Sequence, residues 1–491
     1  MKTSKRKVGW LTVVLMTAVL ALSGCSGQQE ETEAAKTELT WYYAGSPTNS
    51  GNEEVFAKVN ELVGQKLENT SINFQPLDWG SYEEKMKVII AGGESYDICW
   101  TANWVNNYAQ NVNNGAFLAL DELLETNAPA LKDLLSDEIW EGVKINGSIY
   151  GVPAQQIMAR STAVYVPQQA YDKFSDLLEN VTTFEDLTPY MEAFANEYGG
   201  ETAVAKMEWQ DLCYAYGIEE LLGTGIPGAV MLTGDADDIT VFNQYDSDIW
   251  KSVISVRKQW TDSGYTKQGI SLTNQTDETI SRPERLPFRI STYKPGGEEE
   301  MAEQQQFPLK AIRISDAYLT GQGATSTLMA ISATSKAPER AIEFLELINT
   351  DAELYNLMVN GIEGEHYTKL DDNTIKKATN ANYGETDWII GNVFNGYVLE
   401  GQPSDIWEQT KAINDTAKQS KLIGFSPNLD PIKLEVNNCK SVIAEYLPAL
   451  SEGIGDVEAL QQEMSEKMKT AGSEKIIAEL QTQIDEWLAQ K

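Results

Sequence analysis

The stretch that decides the fold spans residues 39–100 and reads LTWYYAGSPTNSGNEEVFAKVNELVGQKLENTSINFQPLDWGSYEEKMKVIIAGGESYDICW. Three short β-type runs (LTWYY, SINFQPL and YDICW) alternate with two runs whose apolar residues recur at helical spacing. This βαβαβ order predicts an α/β lobe with a mainly parallel sheet. In such sheets ligands bind beyond the carboxyl ends of the strands, which here are the loops AGSPTNS and TANW.

Two capping-box patterns mark the starts of the intervening helices. Ser50 is followed three residues later by Glu53, and Ser81 is followed by Glu84. In a capping box the serine and the acidic side chain each satisfy a free backbone N–H of the first helical turn. We therefore expect one helix to begin near residue 50 and the next near residue 81.

The first 25 residues predict export followed by lipidation. Four basic residues precede an uncharged run over residues 8–24, and that run ends in Leu22-Ser23-Gly24-Cys25, the lipobox pattern of bacterial lipoproteins. The run is short for a membrane span, which needs about 20 apolar residues, and its flanks fit a signal peptide. A plain signal peptide or a membrane span with a chance cysteine is the alternative. We expect residues 1–24 to be a signal peptide and Cys25 to carry the lipid anchor.

The segment after Cys25 is polar and acidic (SGQQEETEAAKTE). It has no large apolar side chain, so folding it would not offset the entropy lost in ordering it. We expect residues 25–37 to form a flexible spacer that holds the folded part away from the membrane, on the extracytoplasmic face.

Length and charge limit the classes of partner. The chain has 491 residues, enough for two domains or one bilobed unit. The signal peptide carries four of the 38 basic residues and none of the 73 acidic ones, so the formal charge after its removal is −39. Such a surface repels phosphates and anionic lipid heads, so we expect no nucleic-acid partner and membrane contact only through the lipid.

The sequence contains few cysteine and histidine residues that could bind a metal or take part in nucleophilic catalysis. The cysteines are Cys25, Cys99, Cys213 and Cys439, and no pair has metal-ligand spacing. His366 is the one histidine of the sequence, whereas zinc sites and Ser-His-Asp catalysis both depend on histidine. We expect no metal, no cofactor and no enzymatic activity, free buried thiols, and a surface position for His366 in a hairpin over residues 361–376.

Two further patterns have ordinary interpretations. Residues 223–228 match GxGxxG, but a helix-like stretch precedes them and Pro227 interrupts them, so they predict a loop. Residues 235–238 (DADD) resemble the start of a calcium loop, but Ile239 stands where an oxygen ligand belongs, so they predict an acidic turn. With 73 acidic residues, no particular pair of carboxylates can be selected for glycoside hydrolysis.

The aromatic residues favour a sugar ligand. The 21 Tyr and 12 Trp together outnumber the 12 Phe. A Trp or Tyr offers a flat apolar face with a polar tip, which suits the CH-rich face and the hydroxyls of a sugar. Aromatic and polar residues gather at predicted strand ends: Trp41, Tyr43, Ser46, Thr48, Trp100, Asn103, Trp104, Gln155 and Gln156. Trp41 and Trp100 could instead be core residues of their strands.

Several stretches resemble family 1 extracellular solute-binding proteins, the receptor subunits of ABC importers. They are the lipobox, YDICW, NGSIYGVPAQQ (146–156) and the long run 324–368, which includes SKAPERAIEFL and GIEGEHYT. The tail, from WIIGNVFNGY (388–397) to residue 487, resembles a C-terminal domain of unknown function found in a lipoprotein subgroup of that family.

The resemblance implies a two-lobe α/β fold of the type II periplasmic-binding-protein kind, with a hinge between the lobes and extra C-terminal helices. Lobe 1 would comprise residues 38–155 and 266–325, and lobe 2 residues 156–265 and 326–491. The cleft-facing positions it implies are the loops Ser46–Thr48 and Trp100–Trp104, Gln155, Gln156, Trp209, Tyr293, Trp388 and Asn392.

These observations together predict a lipid-anchored, monomeric receptor that captures an oligosaccharide and delivers it to ABC permease subunits. Three alternatives stay open. One is a lipid-anchored hydrolase that uses two cleft carboxylates, and another is a lipoprotein that binds peptides or other solutes. The third is a sensory or adhesive lipoprotein that works without a permease.

Overall fold

A computed structural model describes residues 36–199, 209–232, 239–267, 269 and 282–490. Its strands are β1 (Thr37–Ala44), β2 (Thr70–Leu77), β3 (Ile98–Thr101), β4 (Lys144–Ile145), β5 (Ser148–Ile149), β6 (Gly151–Pro153), β7 (Thr162–Pro167), β8 (Ile218–Glu220), β9 (Ala229–Met231), β10 (Arg289–Thr292), β11 (Leu309–Arg313), β12 (Tyr318–Leu319), β13 (Leu328–Ile331), β14 (Tyr367–Lys369), β15 (Thr374–Lys377), β16 (Val398–Leu399) and β17 (Lys418–Gln419).

The helices of the described residues are α1 (Asn52–Lys66), α2 (Tyr82–Gly92), α3 (Tyr108–Asn113), α4 (Asp121–Thr126), α5 (Pro129–Asp133), α6 (Asp137–Gly142), α7 (Gln168–Phe174), α8 (Thr188–Tyr198), α9 (Trp209–Ala215), α10 (Asp248–Asp262), α11 (Gly297–Gln305), α12 (Gly321–Ala324), α13 (Pro338–Thr350), α14 (Ala352–Asn360), α15 (Asp387–Ile390), α16 (Ile406–Thr416), α17 (Lys433–Glu452), α18 (Val457–Ala471) and α19 (Ser473–Leu488).

The first sheet has the order β2-β1-β3-β13-β6. β1 pairs in parallel with β2 and with β3, so Trp41 lies opposite both Phe74 and Ile98. β13 joins from much later in the chain and runs antiparallel to β3 and β6. The βαβαβ order of residues 39–100 and its mainly parallel pairing are therefore confirmed.

Helices from an early and a later part of the chain cover the first sheet. α1 turns Val55, Val59 and Val63 towards the sheet, and all three are fully buried. α13, which begins with Pro338 at its first position, and α14 contribute to the same core. Burying a branched side chain of this size contributes about 1.5–3 kcal/mol, so the stripe on α1 is enough to fix the helix on the sheet.

The second sheet is antiparallel, with the order β10-β7-β11. The core on its helical side contains Trp250 and Trp260 from α10, Leu450 from α17 and Met464 from α18. The C-terminal helices are therefore part of the second lobe. α19 packs in a neighbouring core through Ile476, Leu480 and Ile484, as its apolar stripe predicts.

This strand pairing divides the chain differently from the boundaries expected above. β10 and β11 lie within residues 266–325, which were expected in lobe 1, yet they pair with β7 of the second sheet. β13, α13 and α14 follow residue 326, yet they belong to the first sheet and its core. Hydrophobic runs of this kind fit either sheet, so the pairing partner could not be read from spacing alone.

Three segments connect the lobes. The first runs between β6 and β7, the second between β12 and β13, and the third between α16 and β17. They bond to one another: β12 pairs in parallel with β17, Arg160 bridges Tyr318, and the Asn414 side chain accepts from the backbone N–H groups of Met158 and Ala159. These contacts form the hinge.

The helix starts agree with the expectation, but the capping boxes do not form. α1 begins at Asn52 behind Gly51, and no side chain bonds its cap. Ser81 stands at the N-cap of α2, yet its hydroxyl donates to the main-chain oxygen of Asp78 at 3.3 Å. The sequence pattern fixed the position of each helix but not the hydrogen bonds at its end.

His366 is buried, and its predicted surface position is wrong. The hairpin is formed by β14 and β15 as expected. The ring lies beneath it because Nδ1 accepts from the Ile362 N–H at 2.9 Å and Nε2 bonds Asn382 Oδ1 at 3.0 Å. Cys99, Cys213 and Cys439 are buried free thiols, as expected.

Some expectations fall outside the described residues. They are the signal peptide, Cys25 and most of the spacer (1–35), and the acidic turn at 235–238. Thr37, expected at the end of the spacer, is the first residue of β1. Residues 223–228 form a loop that leads into β9, as expected. In the described part of the chain, no helix combines the length and hydropathy that a membrane crossing requires.

Candidate functional site

The candidate site lies at the carboxyl edge of the first sheet. Because β1, β2 and β3 are parallel, their carboxyl ends lie at one edge, and the loops that follow them begin there. These loops start at residues 45, 78 and 102 and carry most of the expected ligand contacts of the first lobe.

Four indoles form one cluster at this edge, which we call the tryptophan platform: Trp79, Trp100, Trp104 and Trp388. Trp100 lies at its centre, with ring centroids 5.4 Å from Trp79, 5.5 Å from Trp104 and 6.0 Å from Trp388. Trp388 also contacts Trp79 at 5.7 Å. Trp100 is fully buried, whereas Trp79 and Trp104 are 43% and 54% exposed. The platform therefore has a buried base and two indoles that reach solvent.

Hydrogen bonds hold the platform loop in place. Tyr82 Oη donates to the main-chain oxygen of Trp100 at 2.6 Å, and Asn106 Nδ2 donates to the same oxygen at 2.8 Å. Trp104 Nε1 donates to the main-chain oxygen of Ser326 at 2.9 Å. The indoles are thus preorganised, which reduces the ordering entropy that a ligand would otherwise have to offset.

Gln322 links this loop to the second lobe. Its main-chain oxygen accepts from Asn103 Nδ2 at 2.8 Å. Its side chain accepts from Gln210 Nε2 at 3.0 Å and donates to the main-chain oxygen of Glu220. One residue of a lobe-crossing segment therefore bonds the platform loop on one side and two elements of the second lobe on the other.

The second lobe contributes a buried polar group near this link. Asp211 on α9 accepts from Thr292 Oγ1 at 3.0 Å, and Arg160 donates to the same hydroxyl at 3.2 Å. Burial raises the pKa of Asp211, although Arg160 and Arg289 act in the opposite direction. The Arg313 guanidinium lies over the Tyr293 ring at 5.6 Å.

A cavity of about 340 Å³ adjoins the platform. Trp388 lines it, together with Tyr355, Tyr397 and Trp407, and the second lobe adds Lys294, Pro295 and Glu300. The size is at the lower end of the range for small-molecule sites. The platform and the cavity share one wall, so a single ligand can contact both.

One buried acid beside this cavity has a shifted pKa. Burial raises the pKa of Glu385 to about 8, and the hydrogen bond donated by Tyr43 Oη at 3.1 Å reduces the shift. The carboxyl of Glu385 is therefore mostly protonated at neutral pH, and it can donate a hydrogen bond into the cavity it lines.

The structure brings one group of the expected site residues together. Trp100, Asn103, Trp104 and Trp388 meet in and around the platform, and Gln156 lines the adjoining cavity. Ser46 and Thr48 are exposed in the loop after β1, at the same edge of the sheet. Tyr293 is half-buried next to Lys294, which also lines the cavity.

Four expected residues are buried and do not line the cavity. Tyr43 is buried and bonded to Glu385, and the Gln155 amide donates to the Leu134 main-chain oxygen inside the first lobe. Asn392 is buried and donates to the main-chain oxygen of Asn349. Trp209 is buried against Trp250, with ring centroids 4.9 Å apart.

Trp79 is the main residue that sequence reasoning missed. It follows β2 in the segment LDWG, at the third parallel strand end of the same edge. The rule that selected the loops after β1 and β3 applies equally to β2, so the signal was present. The cavity residues after 355 gave no comparable signal, because their approach to residues 294–300 depends on the pairing of distant segments.

The described residues offer few groups suited to a metal ion. Among the described residues, no group of three or more His, Cys, Asp and Glu side chains is placed to hold a metal ion. The polar groups of the site are amides, hydroxyls, indoles and a few charges.

Comparison with known proteins identifies the family. A family model described as bacterial extracellular solute-binding protein matches residues 56–363, and a domain of unknown function (DUF3502) matches residues 421–489. The first match covers more than half of the chain. This chain belongs to the bacterial extracellular solute-binding proteins. The expected family, its C-terminal domain and its two-lobe fold are confirmed.

Two relatives of this solute-binding protein match 98% and 74% of its length. A carbohydrate ABC transporter substrate-binding protein of Streptococcus pneumoniae serotype 4 is 26% identical over 98% of this chain and 97% of its own. The polygalacturonan/rhamnogalacturonan-binding protein YtcQ of Bacillus subtilis is 22% identical over 74% of this chain and 76% of its own.

Solved structures show the same fold. The N-glycan transport solute-binding protein NgtS of Streptococcus pneumoniae is 25% identical and superposes with a TM-score of 0.82, covering 92% of this chain and 99% of NgtS. The complex of NgtS with Man5GlcNAc superposes with a TM-score of 0.74 at 25% identity, covering 93% of this chain and 99% of NgtS.

Proposed function

We propose that this solute-binding protein is the capturing receptor of an ABC importer and that its ligand is an oligosaccharide. The ligand is held between the lobes and passed to membrane permease subunits without chemical change. The observation that carries the proposal is the tryptophan platform, with two half-exposed indoles over a buried third.

The chemistry of the platform suits sugar rings. An indole offers a flat apolar face, so the CH-rich face of a pyranose can stack on it, while the nearby amides bond the hydroxyls. Trp79 and Trp104 leave their faces partly open, with Asn103 beside them. Large exposed apolar side chains in a monomer commonly mark binding surfaces.

Relatives support both the ligand class and the lack of turnover. The Streptococcus pneumoniae relative is named a carbohydrate ABC transporter substrate-binding protein, and NgtS has been solved with Man1GlcNAc and with Man5GlcNAc. YtcQ is named for binding pectic polysaccharides. These are binding proteins by name, which supports capture of the sugar over its hydrolysis.

The proposed ligand contacts follow the geometry of the site. The first lobe offers Trp79, Trp104, Trp388 and Asn103, with Ser46 and Thr48 at the rim, and the cavity offers Gln156. The second lobe offers Tyr293 from its rim. Closure of the lobes around the sugar is a population shift, because the ligand binds the closed state more tightly than the open one.

We also propose that the protein is exported by residues 1–24, anchored through a lipid on Cys25 and monomeric. The lipobox and the uncharged run support the anchor. A single acyl chain binds a membrane only marginally, so a stable anchor needs more than one chain on the cysteine. The formal charge of −39 on the mature chain supports the absence of nucleic-acid partners.

Calorimetric titration with intrinsic tryptophan fluorescence as a second readout tests the function. The panel contains Man1GlcNAc, Man5GlcNAc, pectic oligosaccharides and a set of peptides. We expect saturable binding of an oligosaccharide, a change in tryptophan emission and full recovery of the intact sugar. Binding of peptides but no sugar, or recovery of cleaved sugar, would contradict the proposal.

A further inference from the structure

The cavity beside the platform has no assigned role, and its position relative to the platform suggests one. Trp388 packs against Trp79, Trp100 and Trp104 on one side and lines the cavity on the other. A chain of sugar units that lies across the exposed indoles therefore reaches the cavity mouth at Trp388.

The size of the cavity limits what can enter it. Its volume of about 340 Å³ is near the minimum of the 300–1,000 Å³ range in which small-molecule sites bury their ligands. Its lining includes Tyr355, Ile406 and Thr410, which are buried side chains and so belong to its inner wall. The space suits one or two sugar units, and the remainder of a longer chain must lie outside it.

The inner wall is closed by a tight contact between distant segments. Gly296 has a φ of +70°, and a Cβ atom there would lie 2.3 Å from Ile406 Cδ1 and 3.0 Å from Gln402 Nε2. The second-lobe loop at Pro295 and Gly296 thus packs directly onto the start of α16. This contact closes one side of the cavity, and Trp388 lies on the side that adjoins the platform.

The polar groups of the cavity suit the hydroxyls of a sugar. Gln156 and Lys377 line it, and among the described residues neither side chain has a hydrogen bond or ion pair to another. Gln402 Oε1 accepts from the Leu399 N–H at 3.0 Å, and its Nε2 remains for a ligand. These groups stand beside aromatic walls from Tyr397 and Trp407, the combination that sugar sites need.

Few charged groups face a ligand in this cavity. Lys294 pairs with Glu300, which leaves Lys377 and Asp387. Burial raises the pKa of Asp387, and Glu385 adds no charge while its carboxyl is protonated. The lining therefore consists mainly of amides, hydroxyls and aromatic rings, which suit a sugar unit.

From these contacts we infer that the cavity is a subsite for the terminal sugar unit of the oligosaccharide, so that the protein captures chain ends. Trp388 separates this unit from those that stack on Trp79 and Trp104. The inference rests on the proposed oligosaccharide-binding function and adds to it which part of the ligand is bound and in which place.

Filling the cavity tests the inference. Thr386 lines it, makes no side-chain cap bond to α15 and is half-buried, so Thr386→Trp adds an indole without removing a known hydrogen bond. Asn380→Trp is the matched control, because Asn380 is exposed in the same connection and does not line the cavity. The affinities of the mature protein for Man1GlcNAc and Man5GlcNAc are measured by calorimetry.

We expect Thr386→Trp to lower the affinity for both sugars at least tenfold. Asn380→Trp should leave both affinities within twofold of those of the unchanged protein. Trp104→Ala should weaken Man5GlcNAc more than Man1GlcNAc, because the short sugar depends mainly on the cavity. If Thr386→Trp lacks a cooperative thermal transition, Gln156→Leu replaces it, with an expected loss of at least threefold for both sugars.

The outcomes separate the two proposals. Unchanged affinity in the cavity variant together with a loss in Trp104→Ala would overturn the end subsite and leave the oligosaccharide receptor standing. If the unchanged protein binds no sugar of the panel, both proposals fail together.

Discussion

The side-chain nitrogen of Asn103 donates to the main-chain oxygen of Gln322 at 2.8 Å, and this one bond joins the platform loop to a lobe-crossing segment. The Gln322 side chain continues the connection to Gln210 and to the Glu220 main chain in the second lobe. Sugar binding on the platform is thereby coupled to the position of the second lobe.

Replacing Gln322 should weaken ligand binding without removing any proposed sugar contact. Gln322→Leu keeps the size of the side chain but removes both bonds to the second lobe, each worth about 0.5–1.5 kcal/mol. We expect affinity for Man5GlcNAc to fall three- to tenfold by calorimetry. Gln110→Leu, on an exposed position of α3, is the control. Equal affinities in the two variants would show that Gln322 does not couple the lobes.

Removing the exposed indoles should affect binding far more than stability. Trp79→Ala and Trp104→Ala each lose a stacking face, which is worth about 1–2 kcal/mol where the residue is a binding hot spot, so affinity should fall about tenfold. Their melting temperatures should change less than that of a variant with a fully buried ring removed, because about half of each side chain is already exposed. Leu434→Ala, which trims another exposed apolar residue, is the control.

Trp100→Ala should behave in the opposite way. Its ring is fully buried between the other three indoles, and truncating a buried aromatic costs about 3–5 kcal/mol of folding free energy. Chemical denaturation measures this loss directly. A stability equal to that of Trp104→Ala would contradict the division of the platform into a buried base and exposed faces.

Stability should fall as the pH rises through neutrality. The pKa of Glu385 is raised by burial to about 8, and burial also raises the pKa values of Glu219 and Glu220 to about 7. Between about pH 4.5 and 8 the folded protein therefore holds protons that the unfolded chain releases, so raising the pH favours unfolding.

Thermal melts at pH 6 and pH 8.5 measure this effect. We expect a lower melting temperature at pH 8.5 and a smaller pH difference in Glu385→Gln. Glu408→Gln, on the exposed face of α16, should keep the full difference. A melting temperature that rises between these two values, or an equal pH response in both variants, would contradict the assigned pKa of Glu385.

The contact at Gly296 should be needed for stability. In Gly296→Ala the added Cβ would lie 2.3 Å from Cδ1 of the buried Ile406, so that side chain must change its conformation, and the substitution also strains a backbone with φ +70°. Gly264→Ala has nearly the same φ, +71°, but nothing within 4 Å of the added carbon. Both changes should destabilise the protein, and Gly296→Ala should cost about 1–3 kcal/mol more because of the overpacking. Equal losses of stability in the two variants would show that the loop at Gly296 and α16 accommodate the added carbon without further cost.

Lipidation at Cys25 is expected to decide where the protein is found. Cys25→Ser removes the thiol that takes the lipid, so the protein should no longer partition with membranes. Fractionation of cells and labelling with radioactive palmitate measure this change, and Cys439→Ser is the control because that thiol is buried in the folded protein. Unchanged membrane partitioning in Cys25→Ser would contradict the anchor.

Local sequence patterns predicted the helices and strands better than they predicted which distant segments these elements contact. The parallel order of residues 39–100 and the start of α13 at Pro338 follow from short-range periodicity and helix-end chemistry. The place of β13 in the first sheet depends on pairing across more than 200 residues, which no local spacing contains. His366 was misplaced for a related reason, because Asn382 and Ile362 bury it from outside the hairpin.

In the candidate site, too, the position of a residue along the chain could be predicted, but the direction of its side chain could not. Trp100, Asn103 and Trp104 were found because they follow a strand of a parallel sheet, and Trp79 could have been found by the same rule. Tyr43 and Gln155 also lie at strand ends, but their polar groups are bonded inside the lobe. Sequence gives the position along a strand, whereas the direction of a side chain depends on its three-dimensional neighbours.

A crystal structure of the mature protein with Man5GlcNAc would test the central claim most directly. The account predicts sugar rings stacked on Trp79 or Trp104, with the terminal unit past Trp388 in the cavity. Sugar density bound away from both exposed indoles would contradict the platform as the binding site.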